Sequence, residues 1–278
     1  MSRSILYVTT FNRKLWDASG RAMVQSFFDT NTWGDLMIGW EGDRSLYDEV
    51  SELINLMQVK YTQRTTQETF LVNVGASQLL KEWTETNKDI IPPEYGGECT
   101  TWGNECKEKW GTNFNRQAAR WFRKFVVLDS AREHIEYNMI VFVDCDTIFV
   151  KELPDDLIED ALEDMDMFYH CGDNRRRRDT GMESGFMGWK RDDLTLTYHV
   201  LDAAIDMYMD GSYRDLKRWD DSYVLRHLCE TGLYRTRDVV KPHIEQAGAH
   251  VIIHGPFAPY VQHDKGKHQR AGLVVKNQ

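Results

Sequence analysis

Met139-Ile140-Val141-Phe142-Val143-Asp144-Cys145-Asp146-Thr147-Ile148-Phe149-Val150 is the stretch on which the reading of the fold turns. Its first five residues are short, continuous and mostly β-branched or aromatic, the pattern of a strand buried on both faces. Side chains on a strand alternate between faces, so Asp144 and Asp146 are expected to converge while Cys145 turns away. Two carboxylates aimed at one point repel each other unless a hard cation such as Mg²⁺ or Mn²⁺ joins them. The carboxyl ends of strands are where open α/β sheets hold their ligands.

Working outward, the segment before this strand predicts a helix over 116–135, with Ala119, Phe122, Val126 and Val127 as its apolar stripe and Arg116, Arg120, Arg123 and Lys124 interleaved. Near the start, 5–8 reads as a strand left through a loop, Thr9-Thr10-Phe11-Asn12. A helix over 15–30 and a strand over 36–40 follow. This strand, helix, strand order is that of a βαβ unit, hence of a parallel sheet. Residues 45–60 and 67–87 are mixed helical or irregular, and 90–115, rich in Pro, Gly, Cys and Trp, predicts an ordered insertion or lid. Further on, a strand over 164–170, a helix over 192–209, a second helix opening near Trp219 and capped by Asp221 or Ser222, and a last strand over 250–254 are expected. No internal repeat appears, and one domain over 1–278 is the reading.

Composition narrows the class. The 278 residues are 41% hydrophobic, enough for a sizeable core. A formal charge of −10 speaks against a general affinity for nucleic acid or anionic membrane, and leaves room only for a local basic patch. Most of the nine tryptophans are expected in the core, exposed ones being suited to stacking on sugars or bases. Five cysteines without a CxxC pair or zinc spacing read as reduced thiols, and with no signal-like or membrane-length run the expected location is cytoplasmic.

Taken in order, the strand ending in Thr9-Thr10-Phe11, the basic helix, the Asp-x-Asp strand, Ser184-Gly185-Phe186-Met187, the Asp220-Asp221 helix start and the late His263-Asp264-Lys265-Gly266-Lys267 resemble GT-A glycosyltransferases. The stretch 140–149 carries the specific part of that likeness. The resemblance implies a Rossmann-like, mostly parallel sheet flanked by helices, with 1–146 mainly binding the nucleotide sugar and 147–278 mainly forming the acceptor side. It also implies a divalent metal, Mn²⁺ or Mg²⁺, and a nucleotide-sugar donor, a UDP-sugar being favoured. Asp146 would bind the metal and Asp144 would share it or hold ribose. His263 is the preferred imidazole ligand, with His254 as competitor.

Thr9, Thr10, Phe11, Arg120, Lys124, Lys265, Gly266 and Lys267 would contact the nucleotide or its diphosphate. Asp220, Asp221 or Glu183 would act as general base toward the acceptor hydroxyl. The run Arg175, Arg176, Arg177 and Arg178 is either a solvated loop or a grip on a phosphate-bearing acceptor, such as the hydroxymethylated DNA that some phages glycosylate; a glycan is the other acceptor class. Two further readings compete with transfer of a sugar. A nucleotidyltransferase would carry a Gly-rich basic loop after the first strand, which Thr9-Thr10-Phe11-Asn12-Arg13 lacks. A non-catalytic nucleotide- or sugar-binding protein would have no need of paired acids and a late histidine.

Overall fold

The computed structural model describes residues 5–30, 34–61, 67–87, 118–240 and 251–263. β1 (Ile5–Asn12) lies between β2 (Asp35–Glu41) and β4 (Met139–Val143), parallel to both, and β3 (Thr69–Asn73) continues the parallel set beyond β2. On the other side of β4 run the antiparallel β7 (Glu183–Lys190), then β6 (Met167–His170), then the short β8 (Thr236–Asp238) parallel to β6. The order is β3-β2-β1-β4-β7-β6-β8, with β7 alone reversed. The chain turns back past β1 to place β4, so a crevice opens at the carboxyl ends of these two neighbours. Both faces are covered, one core cluster being built around Phe122, Phe125, Val126 and Tyr208 and the other around Tyr7, Phe27, Ile38 and Phe168. That double burial explains why the first half of β1, Ile5 to Val8, and all of β4 are apolar without interruption.

Several predicted elements move. β1 does not end at Val8 but runs on through Asn12, because its pairing with β2 persists from Leu6 to Asn12. The helix expected over 15–30 begins at α1 (Arg13–Leu15), passes through one π-helical turn at Trp16–Gly20, and ends as α2 (Arg21–Asp29). The mixed stretch over 45–60 is a full helix, α3 (Arg44–Lys60), capped by Asp43, whose side chain accepts from the Leu46 N–H. Residues 67–87 hold β3 and then α4 (Gln78–Thr86). The basic helix is α5 (Ala118–Arg132), and after β4 come β5 (Thr147–Phe149) and α6 (Asp155–Leu162).

The expected arginine loop is instead a short helix, α7 (Gly172–Arg177). The helix expected from 192 starts only at α8 (His199–Asp210), since Asp192 caps a turn through the N–H groups of Leu194 and Thr195. In α9 (Asp221–Glu230) the cap is Asp220, neither Asp221 nor Ser222. The apolar run at 251–254 is a 3-10 turn whose Val251 and Ile252 plug the interior, and the last described strand is β9 (Val261–His263). The stretch 90–115 and the residues Lys265, Gly266 and Lys267 lie outside the described residues. Cys145, Cys171 and Cys229 are buried and form no disulfide. Among the described residues no helix is long and apolar enough to cross a membrane.

Candidate active site

Asp144 and Asp146 do converge, but by a turn and not by strand alternation. β4 stops at Val143, the Thr147 N–H closes a turn onto the Asp144 carbonyl at 2.9 Å, and the Asp144 N–H still bonds the Gly185 carbonyl at 2.8 Å. Cys145, at the turn's apex, is buried beside Ser19. The turn leads into β5, which pairs antiparallel with β9 in the register Thr147↔His263. That register sets an imidazole from the far end of the chain beside the residue preceding Thr147. His263 Nε2 accordingly lies 3.1 Å from Asp146 Oδ1.

Asp144, Asp146 and His263 each offer one donor atom, all within 4.8 Å of one another. Gly185 forms the floor of this group: a Cβ built there would lie 3.1 Å from both Asp144 Oδ2 and His263 Nε2 and 2.9 Å from Glu183 Oε1. The space between the donors is therefore kept by the missing side chain. Carboxylate oxygens with a single imidazole are a donor set that suits Mn²⁺ or Mg²⁺, so the residues fit such an ion.

The charges around this group are interlocked. Lys124, 7% exposed, donates to the Ser184 carbonyl at 3.0 Å and pairs with Asp221 Oδ2 at 2.5 Å and with Asp144 Oδ1 at 3.5 Å. Burial pushes the Asp144 carboxyl up to about 6; Lys124 and His263 oppose the rise and Asp146 adds to it. Burial alone would lower the Lys124 and His263 values, yet the surrounding carboxylates outweigh it and hold both above their ordinary range. The site is thus a knot of carboxylates in which protein cations already neutralise part of the charge.

The other expected site residues fall into three groups. Thr10, Phe11, Arg120 and Lys124 line the cleft that ends at Asp144 and Asp146, joined by Asn12, Lys14, Trp121 and an ion pair between Glu41 and Arg123 at 2.9 Å. Thr9 is fully buried and is not part of that lining. Glu41 and Arg123, the latter noted only as one of the cations of the basic helix, are not among the site residues expected from sequence, although Glu41 closes the apolar run of β2 and so stands at the carboxyl end of a strand, where ligands gather.

The three acids expected as general base are all buried and engaged. Asp220 accepts from Tyr223 N–H at 3.2 Å and Arg218 Nε at 2.8 Å, with the Ser222 hydroxyl on the same carboxylate, and burial raises its pKa. Asp221 holds Lys124, and Glu183 holds Arg175 at 2.5 Å. The arginine run divides: Arg175 also donates to the carbonyls of Gly181 and Met182, Arg176 pairs with Asp238 at 2.7 Å, and Arg177 and Arg178 are exposed. His254 is buried on the 3-10 turn and is no member of the donor group.

No protein-family model matches the chain, and no curated protein matches it in sequence. Its fold does match solved structures. The WbbM bifunctional glycosyltransferase aligns over 86% of this chain and 39% of its own length, at 12% identity and a TM-score of 0.53. This chain thus spans well under half of that protein. Mouse xyloside xylosyltransferase 1 aligns over 85% of both chains at 9% identity and a TM-score of 0.48, and the galactosyltransferase LgtC over 84% of this chain and 73% of its own at 10% and 0.47. The seven-stranded, mostly parallel sheet flanked by helices is the GT-A fold.

Proposed function

We propose that this GT-A chain transfers a sugar from a nucleoside-diphosphate sugar, a UDP-sugar being the favoured donor, to a hydroxyl of a glycan acceptor, with Mn²⁺ or Mg²⁺ as cofactor. The observation that carries this reading is the Asp144, Asp146 and His263 donor group at the inner end of a cleft between the ends of β1, β4 and α5. A divalent cation held there supplies Lewis-acid stabilisation of the charge that builds on the departing diphosphate.

The chain's own residues do the remaining work in this reading. Thr10, Phe11 and Asn12 hold the nucleoside end of the donor, and Arg120, on the cleft wall, neutralises phosphate charge. Lys265, Gly266 and Lys267 follow the metal-side His263 after one residue, Asp264, and are assigned to the diphosphate. Lys124 is assigned to positioning, because its ammonium is occupied by Asp144, Asp221 and Ser184. Asp220 caps the start of α9 and Asp221 ties it to that ammonium.

The glycan is preferred over modified DNA because Arg175 and Arg176 are committed to carboxylates, which halves the expected phosphate grip. A nucleotidyltransferase is disfavoured because β1 passes from Asn12 straight into helix at Arg13. The test is thermal stabilisation of the full chain by UDP- and GDP-sugars with and without Mn²⁺. A ligand at about a hundred times its Kd adds about 2.7 kcal/mol, which a melting curve resolves. Stabilisation by a UDP-sugar only with metal is expected, and no response to any nucleotide sugar with metal overturns the reading. Transfer to hydroxymethylated DNA that falls with rising salt would replace the glycan as acceptor.

A further inference from the structure

One buried carboxylate beyond the three donors points into the same space. Glu183, 5% exposed, opens β7 and uses its two oxygens differently. Oε2 is gripped by Arg175, whose guanidinium is itself fixed by the carbonyls of Gly181 and Met182 at 3.0 and 2.9 Å. Oε1 accepts the Gly185 N–H at 3.1 Å and lies 3.9 Å from His263 Nε2. The point where a Gly185 Cβ would sit is ringed at 2.9–3.1 Å by Glu183, Asp144 and His263. These residues reach it from three separate segments of the chain.

We infer that Glu183 is a fourth protein donor of the divalent-cation site and that Arg175 is a positioning residue which aims it. The inference rests on the proposed reading of Asp144, Asp146 and His263 as that site. Glu183 Oε1 lies 3.9 Å from His263 Nε2, nearer than the 4.8 Å that spans the three-donor group, although Glu183 itself stands outside that group, so it would join the ion by a small shift of its carboxylate.

The charges agree. Asp144, Asp146, Glu183 and Asp221 are linked through contacts to Lys124, Arg175 and His263. With His263 neutral, as a metal ligand must be, four carboxylates against two cations leave two negative charges, the complement of one divalent ion. A role as base toward the acceptor suits Glu183 less well, since taking a proton would cost it the Arg175 ion pair. Arg175 suits the positioning task because a guanidinium offers a rigid fork and keeps its charge. One arm holds the backbone and the other the carboxylate.

The experiment is titration of the full chain with Mn²⁺ alone, followed by calorimetry and by the free-ion electron-spin signal, with circular dichroism as a folding control. Glu183→Gln is expected to weaken Mn²⁺ binding at least about tenfold. Glu183→Asp is expected to do the same, because it keeps the charge but withdraws the oxygen by one methylene. Arg175→Lys is expected to lose less, and it decides the question if both Glu183 variants fail to fold. Unchanged Mn²⁺ affinity in Glu183→Gln, beside a clear loss in Asp146→Asn, overturns the inference while leaving the cation site standing. Mn²⁺ binding that Asp146→Asn also leaves untouched overturns the site and the inference together.

Discussion

Two short charged runs behave in opposite ways. Asp144-Cys145-Asp146 concentrates its charges, and Arg175-Arg176-Arg177-Arg178 scatters them. The acids occupy a turn between β4 and β5, where residues two apart end on one side and the third is driven into the core. The arginines run along and just past α7, where about 100° separates neighbours, so one reaches Glu183, the next Asp238, and the last two face solvent. The lesson is that a cluster in sequence becomes a site only when the local period brings its side chains together. Otherwise it becomes a set of separate braces.

That contrast can be broken or sharpened by substitution. The largest effect is expected at the convergent end: Asp146→Ala should abolish any Mn²⁺-dependent gain in melting temperature, and a retained gain would remove Asp146 from the site. Next comes Lys124→Met, which strands Asp221, 1% exposed, without its cation. Breaking a buried pair from one side costs about 3–5 kcal/mol, so denaturant unfolding should show a strong loss, against a smaller one for Lys124→Arg. Asp220→Ala should cost about 1–2 kcal/mol through the lost cap of α9, read by the same unfolding curve.

A pH-dependent effect is expected at Asp144. Its carboxyl is raised from 3.8 to about 6 in the folded protein, so without metal the folded state binds the extra proton between those values. Stability contributed by the protonated form is present at low pH and is lost as pH rises through the folded value. Asp144→Asn should therefore raise the melting temperature of the metal-free protein more at pH 7.5 than at pH 4.5. An equal gain at both would show that the strain is not electrostatic. The smallest effect belongs to the scattered run: replacing exposed Arg177 and Arg178 by Ala should change stability by no more than about 0.5 kcal/mol. A large loss would mean that this end of α7 is built into the fold.

Much of the plan was legible because it rests on local physics. The apolar run 139–143, the alternation of strands and helices, and the basic amphipathic helix each announce burial or exposure within a few residues. Misreadings arose where packing decided. The apolar 251–254 looks like a strand but folds as a 3-10 turn, since nothing in its own sequence says whether a partner strand is at hand. Gly185 stood inside a quoted motif without its role being visible, because that role is defined by Asp144, Glu183 and His263 closing around it. Lys124, expected from sequence to contact the nucleotide or its diphosphate, is buried only by the approach of α9 and β7, which no local pattern announces.

By itself, then, the sequence determined most of the sheet and the paired acids at its carboxyl edge, because strand burial and side-chain charge are properties of short stretches. Tertiary structure alone decided that His263 stands beside Asp146 and His254 does not, that Asp220 is spent on capping α9 and Asp221 on a buried ammonium, and that Arg175 and Arg176 brace the protein from within. Each of those outcomes depends on a register or contact between distant segments, and β5 against β9 sets the most consequential one.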